Sequence, residues 1–285
     1  TTGNHLATLT GHKGRVTGVA YHPDGTHLAT TSGDRTARIW DATTGDHLAT
    51  LTGHKGRVTG VAYHPDGTHL ATTSYDGTAR IWDATTGDHL ATLTGHKGPV
   101  TGVAYHPDGT LLATTSEDGT ARIWDATTGT HLTTLTGHTG PVTGVAYHPD
   151  GTHLATTSGD RTARIWDATT GTHLTTLTGH TGPVTGVAYH PDGTHLATTS
   201  DDGTARIWDA TTGKPVGWRL ASLPRGNFAL FSADGTTLLG ATPDAWRWIG
   251  WRRPGHVERL PAEFFGPLPP FPGWPPDPLD LAAVR

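Results

Sequence analysis

The sequence predicts an all-β fold assembled from repeating four-stranded units, and three observations predict it. Gly-His recurs at residues 11–12, 53–54, 95–96, 137–138 and 179–180. Trp-Asp recurs at 40–41, 82–83, 124–125, 166–167 and 208–209, so both dipeptides step by 42 residues without one insertion. Within a period, runs rich in β-branched and aromatic residues alternate with turn chemistry, and no stretch keeps a helical period long enough for a helix.

The elements follow in order through the first period. RVTGVAYH (15–22) is the first strand, turned by PDG (23–25) into HLATTS (27–32). GDR (33–35), which becomes YDG, EDG or DDG in other copies, leads to the third strand TARIWDA (36–42). TTG (43–45), with a glycine suited to positive φ, closes onto the fourth strand DHLATLT (46–52). A lone four-stranded sheet cannot bury both faces, so copies must stack. Stacked radially, they form a β-propeller with only short edges. Regular blades start at residues 11, 53, 95, 137 and 179, and a degenerate one covers about 221–260, where FSADGTTLLGATPD (231–244) lies under YHPDGTHLATTSGD (21–34). AWRWIGW (245–251) falls in the third-strand slot, with Ile249 in the tryptophan position, Ser222 in the histidine position and Asp244 keeping the turn aspartate. Six blades are expected, with seven the alternative.

The Gly-His and Trp-Asp pattern resembles the WD-repeat (WD40) propeller family over residues 1 to about 220, and in degraded form to about 260. The near-identity of the copies is similar to that of bacterial arrays. The resemblance implies closure of the ring by an N-terminal outer strand, a role that suits residues 1–10, where TTGNHLATLT repeats the end of a period. HVERL (256–260) competes as the last blade's own fourth strand. The propeller is thus expected over 1–260. The Pro-rich tail 261–285 is expected to pack Phe264, Phe265, Phe271 and Trp274 on the ring, with an extended docking peptide the alternative.

Each full repeat carries a His, a Ser/Thr and an Asp, the residue types of a catalytic triad. The resemblance implies a structural tetrad with the third-strand Trp instead, since a closed chain satisfies every buried polar group in it. Counting back along the hairpin sets Trp40 across from residue 29 or 30, so Thr30 is the expected hydroxyl, with Ser32 the alternative. The sets are His12, Thr30, Asp34, Trp40; His54, Thr72, Asp76, Trp82; His96, Thr114, Asp118, Trp124; His138, Thr156, Asp160, Trp166; and His180, Thr198, Asp202, Trp208.

The first four copies differ at only seven positions, corresponding to Lys13, Arg15, His27, Gly33, Arg35, Asp46 and Ala49. Four of the seven lie in the loop entering the first strand and the second-to-third turn, which strand alternation places at one end of every blade. The side chains expected on this rim are Lys13, Arg15, Arg35, Lys55, Arg57, Tyr75, Lys97, Glu117, Arg161 and Asp201. PDGT and DATTG at the other end are unchanged in all five copies. A fixed frame with one varied rim reads as a recognition surface.

Composition removes other classes. A net charge of −5 gives no bulk pull toward nucleic acid, and without cysteine there are no disulfides or thiolate metal sites. No apolar run is long enough to span a bilayer. Histidine pairs such as His22 and His27 recur, but no third ligand is fixed nearby by the sequence, so no metal and no cofactor are expected. No phosphate loop, HExxH or nucleophile elbow is present, so no catalytic residue is assigned. Methionine is absent, and arginine outnumbers lysine 16 to 4, which together suggest an upstream start and a GC-rich bacterial source. The expected function is a non-enzymatic, cytoplasmic interaction scaffold or sensor that binds a protein partner through the rim, as the C-terminal recognition part of a larger signalling protein. The alternatives are nucleic-acid binding through the basic arc of the first two blades, and a purely structural assembly role.

Overall fold

Antiparallel strands joined by tight turns pair with their sequence neighbours, and the computed structural model shows this repeat after repeat. It describes residues 5–223, 226–232, 238–242, 250–252 and 259–261. The first repeat forms β1 (Val16–Tyr21), β2 (His27–Ser32), β3 (Ala37–Asp41) and β4 (His47–Leu51), in that order across one sheet. The second forms β5 (Val58–Tyr63), β6 (His69–Ser74), β7 (Ala79–Asp83) and β8 (His89–Leu93). The third forms β9 (Val100–Tyr105), β10 (Leu111–Ser116), β11 (Ala121–Asp125) and β12 (His131–Leu135). The fourth forms β13 (Val142–Tyr147), β14 (His153–Ser158), β15 (Ala163–Asp167) and β16 (His173–Leu177). These repeated four-stranded antiparallel sheets are those of a β-propeller.

The chain divides into two compact units. The first, residues 1–202 with 210–213, holds the four sheets, β17 (Val184–Tyr189) and β18 (His195–Ser200). Its core lies between repeats rather than within one. Ala29, Ala37, Ile39 and Leu51 of the first repeat pack on Tyr63, Leu70 and Trp82 of the second, and the same contact recurs from second to third and from third to fourth. A β-bulge between Val16 and Gly18 turns Thr17 out of the β1–β2 ladder, and its hydroxyl donates to the Val58 carbonyl of the next repeat at 2.6 Å.

The second unit, residues 203–209 with 214–285, contains β19 (Thr204–Asp209), β20 (Trp218–Leu223), β21 (Asn227–Ser232), β22 (Leu238–Ala241), β23 (Gly250–Arg252) and β24 (Arg259–Pro261). The β21–β22 hairpin occupies the slot of a first and second blade strand. It does not open a new sheet, because β21 pairs with β20, which pairs with β19. The reason is length. Six residues separate β4 from β5 and let the chain cross to the next sheet, whereas three separate β20 from β21 and leave only a hairpin. Asp244, Ile249 and the tail aromatics Phe264, Phe265, Phe271 and Trp274 lie outside the described residues, as do 1–4 of the expected closing strand.

Residues 5–10 form no strand with any described residue. They nevertheless lie against the first repeat as an outer strand does. A Cβ on Gly45 would meet Ala7 and Leu9 at 3.3 Å, and one on Gly87 would meet Leu51 and Ala49, the residues 42 further on.

Candidate functional site

The Gly-His turn and the β2–β3 turn are brought together by one carboxylate. Asp34 Oδ1 accepts the Thr36 amide (3.0 Å) and hydroxyl (2.6 Å), closing the β2–β3 turn. Its Oδ2 accepts His12 Nδ1–H at 2.9 Å and the Lys13 amide at 2.9 Å. On the far side of the imidazole, Nε2 lies 2.9 Å from Thr30 Oγ1, which also accepts Trp40 Nε1–H at 2.8 Å. The donors and acceptors close into one chain: indole donates to hydroxyl, hydroxyl to Nε2, and Nδ1–H to carboxylate, so every polar group in it has a partner. Trp40 pairs with Leu28 rather than with residue 29 or 30 as hairpin counting expects, and reaches Thr30 because Leu28 and Thr30 share a face. Ser32 is not in the chain; its hydroxyl accepts the Asp34 amide.

The same bonds join His54, Thr72, Asp76 and Trp82; His96, Thr114, Asp118 and Trp124; and His138, Thr156, Asp160 and Trp166. In the fifth copy, His180 bonds Thr198 at 2.8 Å and Asp202 at 2.9 Å within the first unit, and Trp208 belongs to the second. Burial pushes the Asp76 carboxyl up, but the bonds from Thr78, His54 and the Lys55 amide prevail and hold it at about 2. Burial lowers His54, His96 and His138 against the opposing pull of their aspartates. Thr72, Thr114 and Thr156 are wholly buried, with their protons committed to imidazole, so no substrate can reach those hydroxyls.

The varied rim is built on this frame. Tyr75 N–H donates to Arg57 O at 3.0 Å, and the equivalent bond ties Gly33 to Arg15, Glu117 to Pro99, Gly159 to Pro141 and Asp201 to Pro183. The tetrad aspartates hold the amides of residues 13, 55, 97, 139 and 181. Only backbone is gripped, so side chains there are free to vary. Lys13, Arg15, Arg35, Lys55, Arg57, Lys97, Glu117, Arg161 and Asp201 are exposed. Tyr75 is half-buried, with the Arg57 guanidinium 3.6 Å above its ring, a cation–π contact. A shallow hollow of about 300 Å³ opens beside it, lined by Tyr75, Asp76, Gly77, His96, Lys97, Gly98 and Pro99.

Two rim features are missed by sequence reasoning. Arg35 and Arg161 stand at φ 72° and 73°, where the other copies carry Gly77, Gly119 and Gly203. An L side chain in the left-handed region costs roughly 1–2 kcal/mol, so these arginines are held against strain. Aligning DR under DG in the copies carries that signal. At the opposite end, the reading that no third ligand accompanies His22 and His27 is corrected. Asp24, in the PDG turn, brings Oδ1 to 2.6 Å from His22 Nδ1, because the turn folds position 24 back over position 22.

Comparison with known proteins follows the repeat. A family model described as the second β-propeller of echinoderm microtubule-associated protein matches residues 16–180. A model of the WD domain, G-beta repeat, matches residues 171–209. Lissencephaly-1 homolog 1 of Paramecium tetraurelia is 49% identical over 39 residues, 14% of this chain. The match spans 10% of that protein's length.

Proposed function

The chain belongs to the WD-repeat β-propeller family, whose fold generally mediates protein–protein interaction, and from that premise we propose a non-catalytic scaffold or sensor that binds a protein through its varied rim. One observation carries the reading. The frame grips the rim by backbone alone while side chains of different charge stand exposed on it, two of them arginines held at positive φ. Strain retained at exposed positions motivates a functional role, since drift would relax it to glycine. Lys13, Arg15, Arg35, Lys55 and Arg57 make the first two repeats cationic, which suits an acidic partner segment; Glu117 and Asp201 mark the far repeats. The proposal extends to a cytoplasmic place as the recognition part of a larger bacterial signalling protein.

No helix among the described residues is long and apolar enough to cross a membrane. The test is capture from a lysate of the source organism by the wild-type chain and by K13E/R15E/K55E/R57E. A protein held by the first and lost by the second supports the rim. Equal capture by both contradicts it, and a steeply salt-dependent affinity for nucleic acid would favour the basic-arc alternative.

A further inference from the structure

Away from the rim, the PDG hairpins of the first four repeats are each locked to the next repeat by a histidine. His22 Nε2 lies 3.0 Å from the Gly67 carbonyl oxygen, and a carbonyl only accepts, so Nε2 carries the hydrogen. The other nitrogen, Nδ1, faces Asp24 Oδ1 at 2.6 Å, and the Asp24 amide points to it from 3.3 Å. In a neutral imidazole whose hydrogen is spent on Gly67, that Nδ1 is a lone pair against a carboxylate. A cation has to join them, either a second proton or a metal ion.

Three further observations favour the metal. His27 packs edge-on against His22 with ring centroids 5.6 Å apart, and ligand atoms of His22, Asp24 and His27 all lie within 4.8 Å of one another. His64, Asp66 and His69 repeat the set, with His64 Nε2 on the Gly109 carbonyl at 3.0 Å. A ring that passes one N–H to a backbone carbonyl and aims the other nitrogen at its ligand site is oriented as metal-ligating histidines are. Beside each set is a buried phenol with no hydrogen-bond partner, Tyr63 against His22 (5.1 Å between centroids) and Tyr105 against His64 (5.0 Å). A phenol O–H donates, so each can serve a water on the metal.

We propose that His22, Asp24 and His27, and likewise His64, Asp66 and His69, each bind one divalent ion of the zinc class. Three nitrogen and oxygen ligands with an open fourth position suit that metal. Binding at either set strengthens the junction with the following repeat, because the ligating ring also holds that repeat's glycine carbonyl.

The third repeat supplies the control. His106 keeps its bonds to Asp108 (2.6 Å) and to the Gly151 carbonyl (2.9 Å), but Leu111 stands where the second histidine would be. The untagged full chain is stripped with chelator and equilibrated with micromolar free zinc. Bound ion is counted by elemental analysis, and folding is followed by circular dichroism. H27L/H69L copies the leucine that the third repeat already carries, so it is expected to fold and to take up two ions fewer per chain. L111H is expected to take up one more. Equal uptake by wild type and H27L/H69L, unchanged uptake by L111H, or no uptake by the wild type overturns the proposal.

Discussion

The first and second repeats differ at two positions, Gly33 against Tyr75 and Arg35 against Gly77, yet they are buried very differently. Tyr63 is 9% exposed and Tyr21 65%; Val58 is fully buried and Val16 is 52% exposed. The strands are the same, so the difference comes from the neighbour. Tyr63 packs on the preceding repeat, whose Thr17 hydroxyl also holds the Val58 carbonyl, and no described residue covers Tyr21 and Val16 to the same degree. A repeat's sequence therefore fixes its strands and turns, while its stability is set at its junctions, as nearest-neighbour energetics requires.

The largest expected effect tests that directly. Tyr63→Ala empties a junction and should cost roughly 3 kcal/mol in urea unfolding, whereas Tyr21→Ala, the same residue in the same strand, should cost less than about 0.5 kcal/mol. Equal losses would break the comparison. Next comes the frame. Asp76→Ala leaves His54 Nδ1–H and the Lys55 amide without an acceptor and should cost about 2 kcal/mol. Acid should act through the same groups. Asp76, Asp118 and Asp160 are held at about 2, and His54, His96 and His138 are lowered by burial, so in both sets the unfolded chain binds protons first. Their contribution is full above about pH 6.5. It falls first as the histidines of the unfolded chain protonate, then between about pH 4 and 2 with the carboxylates. Urea midpoints that rise on acidification would contradict this sign.

A smaller effect sharpens the comparison where the two repeats do differ. Arg35→Gly relieves a left-handed arginine and should stabilise the chain by about 1 kcal/mol, and Gly77→Arg in the second repeat should cost about as much. Thermal melts of the two variants check it, and shifts of the same sign in both would contradict it.

Most of the repeat was legible because its causes are local. HLATTS, TARIWDA and the PDG and TTG turns announce their strands to within a residue, and buried His, Thr and Trp demand a closed hydrogen-bond chain whatever the surroundings. What escaped was set by neighbours in space. The partner of Tyr63 lies in the preceding repeat and the Gly67 carbonyl taken by His22 lies in the next, so neither shows in one period. Asp24 was legible as a turn residue, but its approach to His22 depends on how that turn folds back. The three-residue link between β20 and β21 was visible as a length only after both strands were known.

The measurement that bears most directly on a fixed frame with a separate working rim is made on K13E/R15E/K55E/R57E, by urea unfolding and partner capture on the same preparation. The frame holds these residues by backbone, and their one side-chain contact, Arg57 over Tyr75, is a cation–π pair on the exposed rim. The midpoint is therefore expected to fall by no more than that pair's ~1 kcal/mol while capture is lost. A larger fall along with capture would make these side chains part of the frame, and capture that survives would take the rim away as the site.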